Sequence, residues 1–407
     1  MRWIPFIIFI IVVQWYAFQA IKTITQNKFW WAIYALVVGI ILGGVLWQTL
    51  NFDRTVGWIP IVAYSLGMFV ALLSGQLLMI CLLFLEDLSR GASSLLHFFT
   101  SDQKIHFPQR RKFVSQIAIA LGAIPFSSLL YGMYKGRYNY RVLNYTLEYE
   151  NLPDGFDGFQ ITQISDLHCG SFDNTKKVAY GLDLIDKQKS DLVLFTGDMV
   201  NNKANEARPW VEFIAKIKAP YGKFSVLGNH DYGDYSDWEN EADKKQNMEE
   251  MYQIHQDMGF DLLLNESRYI EKNGDRIALV GVENWGAGRF KKAGDLEKSI
   301  SKIEPNDFKI LLSHDPSHWE AEVIPHAYPF HLTLSGHTHG FQFGIEIPGW
   351  IKWSPIQWRY KQWAGIYENK EQKLNVNRGF GYLAYPGRVG IWPEITVITL
   401  KKRNLLI

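Results

Sequence analysis

Four long apolar runs lie in the N-terminal part of the chain, and none of them contains Asp, Glu, Lys or Arg. They span residues 3–20, 29–50, 58–85 and 113–134. A helix of about 20 apolar residues is long enough to cross the hydrocarbon core of a bilayer. Trp30, Trp31, Trp47 and Trp58 lie near the ends of these runs, where indole rings favour the membrane interface. The pattern predicts a four-helix transmembrane anchor over residues 1–134.

The first apolar run has one alternative interpretation, a signal peptide cleaved near Ala17 or Ala20. It lacks the strongly basic start of such peptides, and three more apolar runs follow it. We therefore expect the first run to be retained as a membrane span.

After Tyr134 the pattern changes to short apolar runs of strand length that alternate with amphipathic segments. The predicted strands are residues 159–165, 192–196, 224–227, 276–282, 309–312 and 331–334. The predicted helices are residues 175–189, 205–218, 249–258, 295–303 and 316–324. This alternation is typical of a layered α/β domain. A hairpin at 366–377 and a strand at 394–400 predict a second, more antiparallel sheet. The expected organisation is an anchor (1–134), a linker (135–154) and a catalytic domain (155–407).

The charge argues against nucleic acid as a partner, and the cysteine content excludes a disulfide framework. The formal net charge is +1 and the basic residues are scattered, so nucleic acid is not an expected partner. Only two cysteines occur, Cys81 in an apolar run and Cys169 beside a histidine, so there is no disulfide framework. Oligomeric state does not follow from the sequence.

Polar clusters follow directly after the predicted strands. Five of the eleven histidines lie in them: Asp166-Leu-His168, Gly197-Asp198, Gly228-Asn229-His230-Asp231, Ser313-His314-Asp315 and Gly336-His337-Thr338-His339. Binding sites of layered α/β folds form where strands end and several loops converge. We therefore expect the clusters to meet at one site.

The chemistry of these residues predicts a centre with two metal ions. They offer carboxylate, imidazole and amide oxygen ligands without a thiolate, which suits Zn, Mn or Fe. Seven ligands are too many for one tetrahedral ion. A carboxylate shared between two ions gives two half-sites, an arrangement used for in-line phosphoryl displacement.

Taken together in this order, the clusters resemble the calcineurin-like metallophosphoesterase superfamily, over roughly residues 155 to 400. The resemblance implies a layered αββα sandwich. It also implies that Asp166, His168 and His339 hold one metal, that Asn229, His314 and His337 hold the other, and that Asp198 bridges them. His230 matches the acid of the family and Asp231 the residue that positions it. The four preceding spans, Arg110-Arg111 and Pro393-Glu394-Ile395-Thr396 resemble the membrane-attached or exported bacterial branch.

Structural alternatives exist for some of these residues. Asn229 is also suited to a turn and Asp231 to a helix cap. Cys169 has the character of a small buried thiol. The isolated histidines, for which we expect surface or core positions and no role in the site, are His255, His318, His326 and His331.

The basic residues near the span ends predict that the globular domain lies outside the cytoplasm, because Lys and Arg are retained on the cytoplasmic side. One side carries five (Arg2, Arg54, Lys135, Arg137 and Arg141) and the other seven (Lys22, Lys28, Arg90, Lys104, Arg110, Arg111 and Lys112). The Arg110-Arg111 pair resembles an internal twin-arginine export signal. An ordinary basic segment beside a span is an equally good interpretation.

The expected function is that of a membrane-anchored phosphoesterase that uses two metals on phosphodiester, pyrophosphate or phosphomonoester bonds. A lipid-linked substrate is a favoured candidate, with an enzyme of the UDP-2,3-diacylglucosamine pyrophosphatase type as one alternative. A non-catalytic, membrane-tethered metal-binding module is an alternative from another class, but no ligand is missing. A transporter is disfavoured because the four runs hold no ionisable residue of the kind that marks an ion path.

A tryptophan-rich loop at residues 347–363 has two interpretations. Trp350, Trp353, Trp358 and Trp363 alternate there with Lys352, Arg359 and Lys361. Either the indoles pack on the domain as a folded flap, or some lie at headgroup level and guide a lipid-borne substrate. The second interpretation makes Trp353, Trp358 and Arg359 candidate substrate-binding residues.

Overall fold

The computed structural model describes residues 3–57, 59–100 and 108–403. The chain divides into two compact units, one of residues 1–52 and 61–133 and one of residues 53–60 and 134–407. Three residues used in the sequence analysis, Arg2, Trp58 and Lys104, lie outside the described residues.

The first unit consists of four helices: α1 (Ile4–Ile24), α2 (Lys28–Leu50), α3 (Pro60–Thr100) and α4 (Pro108–Tyr134). All four are long and apolar enough to cross a membrane, which confirms the four predicted spans. Many large apolar side chains of these helices, among them Leu36, Ile40 and Trp47, face outward. An outward apolar surface of this kind is what a bilayer covers.

Amide side chains join three of these helices. Gln14 of α1 and Gln76 of α3 exchange hydrogen bonds of 2.8 and 2.7 Å, and Gln76 Nε2 also donates to the Tyr34 hydroxyl of α2 at 2.8 Å. Polar contacts between apolar helices hold them in register in a medium without water.

Helix α3 extends beyond the predicted span, and Glu86 and Asp87 lie just past the end of that span. Arg111 of α4 pairs with Glu86 at 2.7 Å and with Asp87 at 3.0 Å. Arg111 is therefore engaged between two helices, which favours the ordinary basic segment over an exposed export motif.

The second unit contains two six-stranded mixed sheets and a small two-stranded one. The strands are β1 (Arg141–Tyr149), β2 (Gln160–Ile164), β3 (Leu192–Phe195), β4 (Lys223–Ser225), β5 (Asp261–Leu262), β6 (Glu266–Lys272), β7 (Asp275–Gly281), β8 (Lys309–Leu312), β9 (Leu332–Ser335), β10 (Ile345–Ile347), β11 (Ile351–Trp353), β12 (Gly365–Asn369), β13 (Gln372–Val376) and β14 (Glu394–Lys402). The orders are β1-β14-β2-β3-β4-β5 and β12-β13-β9-β8-β7-β6, and β10 pairs with β11. The helices are α5 (Thr175–Asp186), α6 (Val211–Ala215), α7 (Glu241–Asp257) and α8 (Leu296–Ile300).

Successive side chains of the central strands join buried clusters on opposite faces, which defines four layers and confirms the αββα sandwich. Leu192 and Leu194 of β3 face the second sheet, in a cluster that includes Leu312 and Leu334. Val193 of β3 lies on the opposite face, in a cluster with α5, α6 and α7. The outer face of the second sheet packs on α8 in a third cluster. Period-two alternation produces this arrangement because both faces of each sheet are covered.

The expectation that the C-terminal strands build their own antiparallel sheet was wrong. The hairpin β12–β13 extends the second sheet through parallel pairing of β13 with β9. Strand β14 enters the first sheet between β1 and β2. Ile395 and Ile398 of β14 are buried on opposite faces, as an interior strand requires. Order along the chain does not reveal this insertion.

The expected linker, residues 135–154, contains β1, which pairs in parallel with β14 over nine residues. Its Leu147 and Tyr149 are buried while Glu148 is exposed, so the segment has strand periodicity. In the structure these residues belong to the sheet of the second unit.

Several predicted helices differ in length or type. The segment 295–303 is helical only over Leu296–Ile300, and 316–324 forms a π-helix over Trp319–Val323. Helix α7 begins at Glu241 rather than at residue 249, because Asn240 caps it by accepting the Asp243 N–H at 2.9 Å. The segment 205–218 begins as a 3₁₀ helix (Ala204–Trp210) that contains Pro209 and continues as the short α6.

Candidate metal centre

The predicted site residues lie in loops that follow the carboxyl ends of five strands. Strand β2 leads to Asp166 and His168, β3 to Asp198 and β4 to Asn229 and His230. Strand β8 leads to His314, and β9 leads to His337 and His339. All are buried except His230 and His337, which are partly exposed. Two adjacent sheet edges thus bring together residues as far apart in sequence as Asp166 and His339.

Asp166, His168 and His339 form a first group whose ligand atoms all lie within 4.8 Å of one another. His339 Nε2 is 3.1 Å from Asp166 Oδ1 and 3.0 Å from His168 Nε2. Three potential metal-ligand atoms therefore converge on one point.

Asp198, His314 and His337 form a second such group. Asp198 Oδ2 lies 3.1 Å from His314 Nε2, and Asn229 Oδ1 lies 2.8 Å from His337 Nδ1. Asp198 Oδ2 is also 3.6 Å from His168 Nε2 of the first group. The Asp198 carboxylate thus stands between the two groups.

Backbone carbonyls orient two of these imidazoles. The Nδ1 atom of His168 lies 3.1 Å from the Val200 oxygen, and that of His314 lies 2.7 Å from the Thr196 oxygen. A carbonyl only accepts, so Nδ1 carries the hydrogen and the Nε2 lone pair is directed into the centre. Metal-bound histidines are held in this way.

The lone pairs in the centre require a cation. His314 Nε2 is buried and has no hydrogen-bond partner among the described residues, although Asp198 Oδ2 is 3.1 Å away. A lone pair and a carboxylate oxygen at this distance repel each other unless a proton or a metal ion lies between them. The residues present therefore fit two divalent cations in N/O coordination.

The protonation of the metal-free centre reflects the same electrostatics. Burial opposes the charged form of His314, but Asp198 overcomes it and raises the pKa of His314 to about 10. Burial would raise the pKa of Asp166 and Asp198, yet neighbouring histidines hold both below their ordinary value. Burial, followed by the charge of His339, lowers the pKa of His168 well below its usual range. The carboxylates thus remain charged and His168 remains neutral.

Backbone strain is concentrated in these loops. Five of the seven predicted ligands have a positive φ, between 48° and 72°: Asp166, His168, Asp198, His337 and His339. Non-glycine residues adopt this conformation at a cost, and such strain accumulates at functional sites.

The motif glycines allow the loops to approach closely. A Cβ on Gly228 would lie 2.2 Å from Asp198 Oδ1, and one on Gly336 would lie 1.9 Å from Ser165 Oγ. No side chain fits at either position without displacing the candidate ligands or their neighbours.

His230 lies at the edge of the centre. Its backbone N–H donates to Asp198 Oδ1 at 2.8 Å, and its Nδ1 lies 2.6 Å from the Asn201 carbonyl oxygen. Its ring packs against that of Tyr235, with centroids 4.4 Å apart. The Nε2 atom is consequently the one that remains for chemistry.

Asp231 does not position His230 by direct contact, as the sequence suggested. The Nδ1 atom of His230 contacts the Asn201 backbone instead. Asp231 Oδ2 accepts the N–H groups of Gly228 and Asp198 at 2.8 and 2.9 Å. Its Oδ1 accepts those of Met199 and Val200 at 2.7 and 3.3 Å. Asp231 thus fastens the loop after β3 to the loop after β4. Burial, and then the charge of Asp198, raises its pKa to about 7.

The three candidate substrate residues lie on the segment that follows β10. Trp353 and Trp358 pack on each other, with ring centroids 6.2 Å apart. Arg359 is exposed and lies over the Tyr360 ring. The link from this segment to the centre is Tyr360, whose hydroxyl lies 2.8 Å from His337 Nε2.

Sequence reasoning missed Tyr360, Tyr235 and Arg388, which approach the centre from distant loops. Arg388 is fully buried, and its Nη2 lies 3.2 Å from His339 Nδ1 and 2.6 Å from the Gly381 oxygen. Tyr360 lies within the tryptophan-rich loop and Tyr235 shortly after the Gly228–Asp231 cluster, but no sequence pattern shows that these side chains or Arg388 turn toward the centre. Of the isolated histidines, His255, His318 and His331 are buried elsewhere in the domain and His326 is partly exposed.

Both parts of the chain match described families. Residues 1–137 match the family described as a probable calcineurin-like phosphoesterase transmembrane domain, and residues 159–341 match the calcineurin-like phosphoesterase family.

Three relatives match over most of their own length. The uncharacterized metallophosphoesterase YkuE of Bacillus subtilis (strain 168) is 31% identical over 301 residues, which cover 72% of this chain and 98% of YkuE. A transmembrane protein with metallophosphoesterase domain from Danio rerio is 25% identical over 387 residues, 92% of this chain and 81% of its own length. An uncharacterized metallophosphoesterase of Aquifex aeolicus (strain VF5) is 27% identical over 69% of this chain and 99% of its own. The chain belongs to the calcineurin-like metallophosphoesterase family and is a membrane-associated member of it.

Proposed function

We propose that the protein is a phosphoester hydrolase that works with two divalent metal ions. Asp166, His168 and His339 hold one ion. Asn229, His314 and His337 hold the other, and Asp198 is shared. The support is the convergence of buried lone pairs described above, above all His168 Nε2 and His339 Nε2 at 3.0 Å. The N/O donor set favours Zn, Mn or Fe.

Bound ions in such a pair supply Lewis acidity, and they orient a phosphoester for in-line attack by water. The two carboxylates, Asp166 and Asp198, neutralise only part of the charge of two divalent ions. A net positive centre remains, and it favours a phosphate anion. The buried walls of the loops exclude bulk water and so strengthen this attraction.

His230 is the proposed general acid. The Asn201 carbonyl fixes its Nδ1 hydrogen, and its partial exposure leaves Nε2 open to the substrate. Imidazole is the side chain most often used as a general acid, and here it is placed to protonate a leaving-group oxygen.

The test is an activity assay of the full-length protein in detergent, stripped of metal and then loaded with Zn, Mn or Fe. Phosphodiesters, pyrophosphates and phosphomonoesters are compared. We expect hydrolysis only after metal loading, with two ions per chain. Equal turnover by the stripped protein, or none with any metal, would overturn the proposal.

A lipid-linked substrate is the finer part of the proposal. Trp350 and Trp358 are 77% and 78% exposed, which is unusual for so large an apolar side chain. Trp363 of the same segment is buried, so only part of the loop is a packed flap. Exposed indoles next to a site, in a chain with four spans, fit insertion at headgroup level.

Two tryptophan variants test the lipid proposal. Replacing Trp353 and Trp358 together by Ala should lower turnover of a phosphoester embedded in vesicles and leave a small soluble ester unaffected. Trp363→Ala is a contrasting variant, since it removes a buried ring and should impair both. Parallel loss on both substrates in the Trp353/Trp358 variant, or no loss, would contradict the lipid-facing role.

The position of the domain outside the cytoplasm also remains a proposal, supported by the excess of basic residues on the opposite side of the spans. A reporter that folds only outside the cytoplasm, fused after Ile407, tests it. Activity of a strictly cytoplasmic reporter at that position would reverse the assignment.

A further inference from the structure

The loop after β7, residues 284–294, borders the candidate metal centre. Asp315, next to the candidate ligand His314, accepts the Ala287 N–H through Oδ2 at 2.9 Å. Asn284 closes the loop, because its side-chain Nδ2 donates to the Lys291 carbonyl oxygen at 2.7 Å and its backbone carbonyl oxygen accepts the Ala293 N–H at 2.9 Å. The loop is therefore fixed to the scaffold that carries His314.

One aromatic ring of this loop and one of the tryptophan-rich segment contact the candidate ligand His337. The Phe290 ring packs edge-on against His337, with centroids 4.8 Å apart. The Tyr360 hydroxyl lies 2.8 Å from Nε2 of the same His337. Together the two rings form a layer on the outer side of this candidate ligand.

Two exposed arginines are the chain neighbours of these rings. Arg289 directly precedes Phe290, and Arg359 lies over the Tyr360 ring with its guanidinium carbon 5.4 Å from the centroid. A Cβ built on Gly288 would be 3.4 Å from Arg359 Nη2, so the two segments meet at this point. We call Arg289 and Arg359 the cationic rim.

Neither rim guanidinium has a carboxylate within 4.0 Å among the residues that the structure describes. Lys361, two residues beyond Arg359, is different because it pairs with Glu320 at 3.4 Å. Lys291 and Lys292 of the β7 loop lie over the rings of Tyr232 and Trp285. The rim therefore brings two uncompensated positive charges close to a centre that is already positive when loaded with metal. Such a concentration of charge favours an anion.

We propose that the cationic rim binds a second anionic group of the substrate, so that the site takes a phosphoester with a further phosphate beside the scissile one. Each rim arginine directly precedes a residue that contacts the candidate ligand His337, Arg289 before Phe290 and Arg359 before Tyr360. Arginine suits this role because its planar fork bonds two phosphate oxygens at once. The inference rests on the proposed function, since it assumes that the scissile phosphate lies at the metals.

The test uses full-length, Mn-loaded protein in detergent and two probes that are not hydrolysed, methylenediphosphonate and methylphosphonate. Affinities are measured by calorimetry for the wild type, Arg289→Gln, Arg359→Gln and the double variant, with metal content determined in each. Lys361→Gln is the matched control, an exposed cation of the same segment that already has a carboxylate partner. Because a diphosphonate also chelates metal, the rim contribution is the difference between variants and wild type.

Each rim substitution should weaken methylenediphosphonate binding by about tenfold, as expected for the loss of a charged hydrogen bond. Methylphosphonate affinity, metal content and the Lys361→Gln control should not change. Arg359→Lys should fall between wild type and Arg359→Gln, because it keeps the charge and loses the fork.

Equal losses for both probes, or no loss for either, would overturn the rim proposal. So would an effect that appears only on vesicles of anionic lipid, since the arginines would then contact the bilayer. Failure of the proposed function is distinguishable, because it shows as absent metal or absent hydrolysis in the wild type. A rim-dependent preference for the diphosphonate without hydrolysis would support the rim and contradict the enzyme.

Discussion

The Asn201 carbonyl oxygen lies 2.6 Å from Nδ1 of His230, and this contact determines which nitrogen of the imidazole faces the substrate. The backbone N–H of His230 also donates to Asp198 Oδ1. The candidate acid is therefore held by the loop that carries Asp198, and its orientation depends on main-chain atoms.

His230→Ala should retain both metal ions and lose about 10²-fold or more in rate on esters with poor leaving groups. Activated nitrophenyl esters should lose less, because their leaving group needs no proton. Rates on alkyl and nitrophenyl esters are compared with metal content, and His326→Ala serves as a control outside the site. Equal losses on both esters would rule out an acid role, and loss of metal would indicate a ligand.

Asp198→Ala should lose both ions and all turnover, because the carboxylate stands 3.1 Å from His314 and 3.6 Å from His168. Asp183→Ala on the exposed side of α5 is the matched control for removal of a carboxylate. Metal content by mass spectrometry and activity are measured on the same samples. Full turnover by an Asp198→Ala protein that holds one ion would contradict the two-metal mechanism.

Asp231→Ala should lower both stability and metal binding, in contrast to His230→Ala. Four backbone N–H groups lose their acceptor, and each unsatisfied buried donor costs about 1–3 kcal/mol. The Asp198 and Asn229 loops should then separate. Thermal unfolding of the metal-free and metal-loaded protein measures both effects. A variant with unchanged unfolding and metal content but reduced rate would instead support a direct role beside His230.

Local pattern predicted a layered α/β domain with polar clusters at the strand ends, and the family resemblance implied the αββα order of the layers. The continuous apolar run Leu192–Phe195 indicates a strand covered on both faces, and each motif lies next to the strand that presents it. The insertion of β14 beside β1 and the partner of His230 were beyond reach, since pairing between distant segments depends on the packed structure. Asp231 illustrates this limit: adjacency in sequence suggested a contact with His230, whereas the turn directs its carboxylate to backbone amides instead.

Tyr360→Phe should weaken binding at the second group by about 10-fold or more, because groups that hydrogen-bond a metal-ligating histidine orient it. The substitution keeps the ring and removes only the hydroxyl 2.8 Å from His337 Nε2. Metal competition assays should show the second ion weakened and the first unchanged. Tyr328→Phe, an exposed tyrosine elsewhere in the domain, is the control. Equal weakening of both ions would mean that the effect is a general one on the fold.

His255, a histidine outside the centre, should make the folded protein less stable in acid. His255 is fully buried, its Nδ1 lies 2.9 Å from Ser225 Oγ, and its Nε2 has no hydrogen-bond partner among the described residues. Burial lowers its pKa from 6.5 to about 3. Between these values the unfolded chain binds a proton that the folded chain does not, so stability falls as the pH falls.

The contribution of His255 to this loss should reach about 2 kcal/mol at pH 5. His255→Gln keeps a partner for Ser225 and cannot titrate, so its free energy of unfolding should fall less between pH 7 and pH 5 than that of the wild type. Denaturant unfolding of the full-length protein in detergent at both pH values measures the difference. His326→Gln, at a partly exposed site, should behave like the wild type. If His255→Gln and wild type lose equal stability on acidification, the buried imidazole accepts its proton without penalty, and the acid sensitivity arises elsewhere.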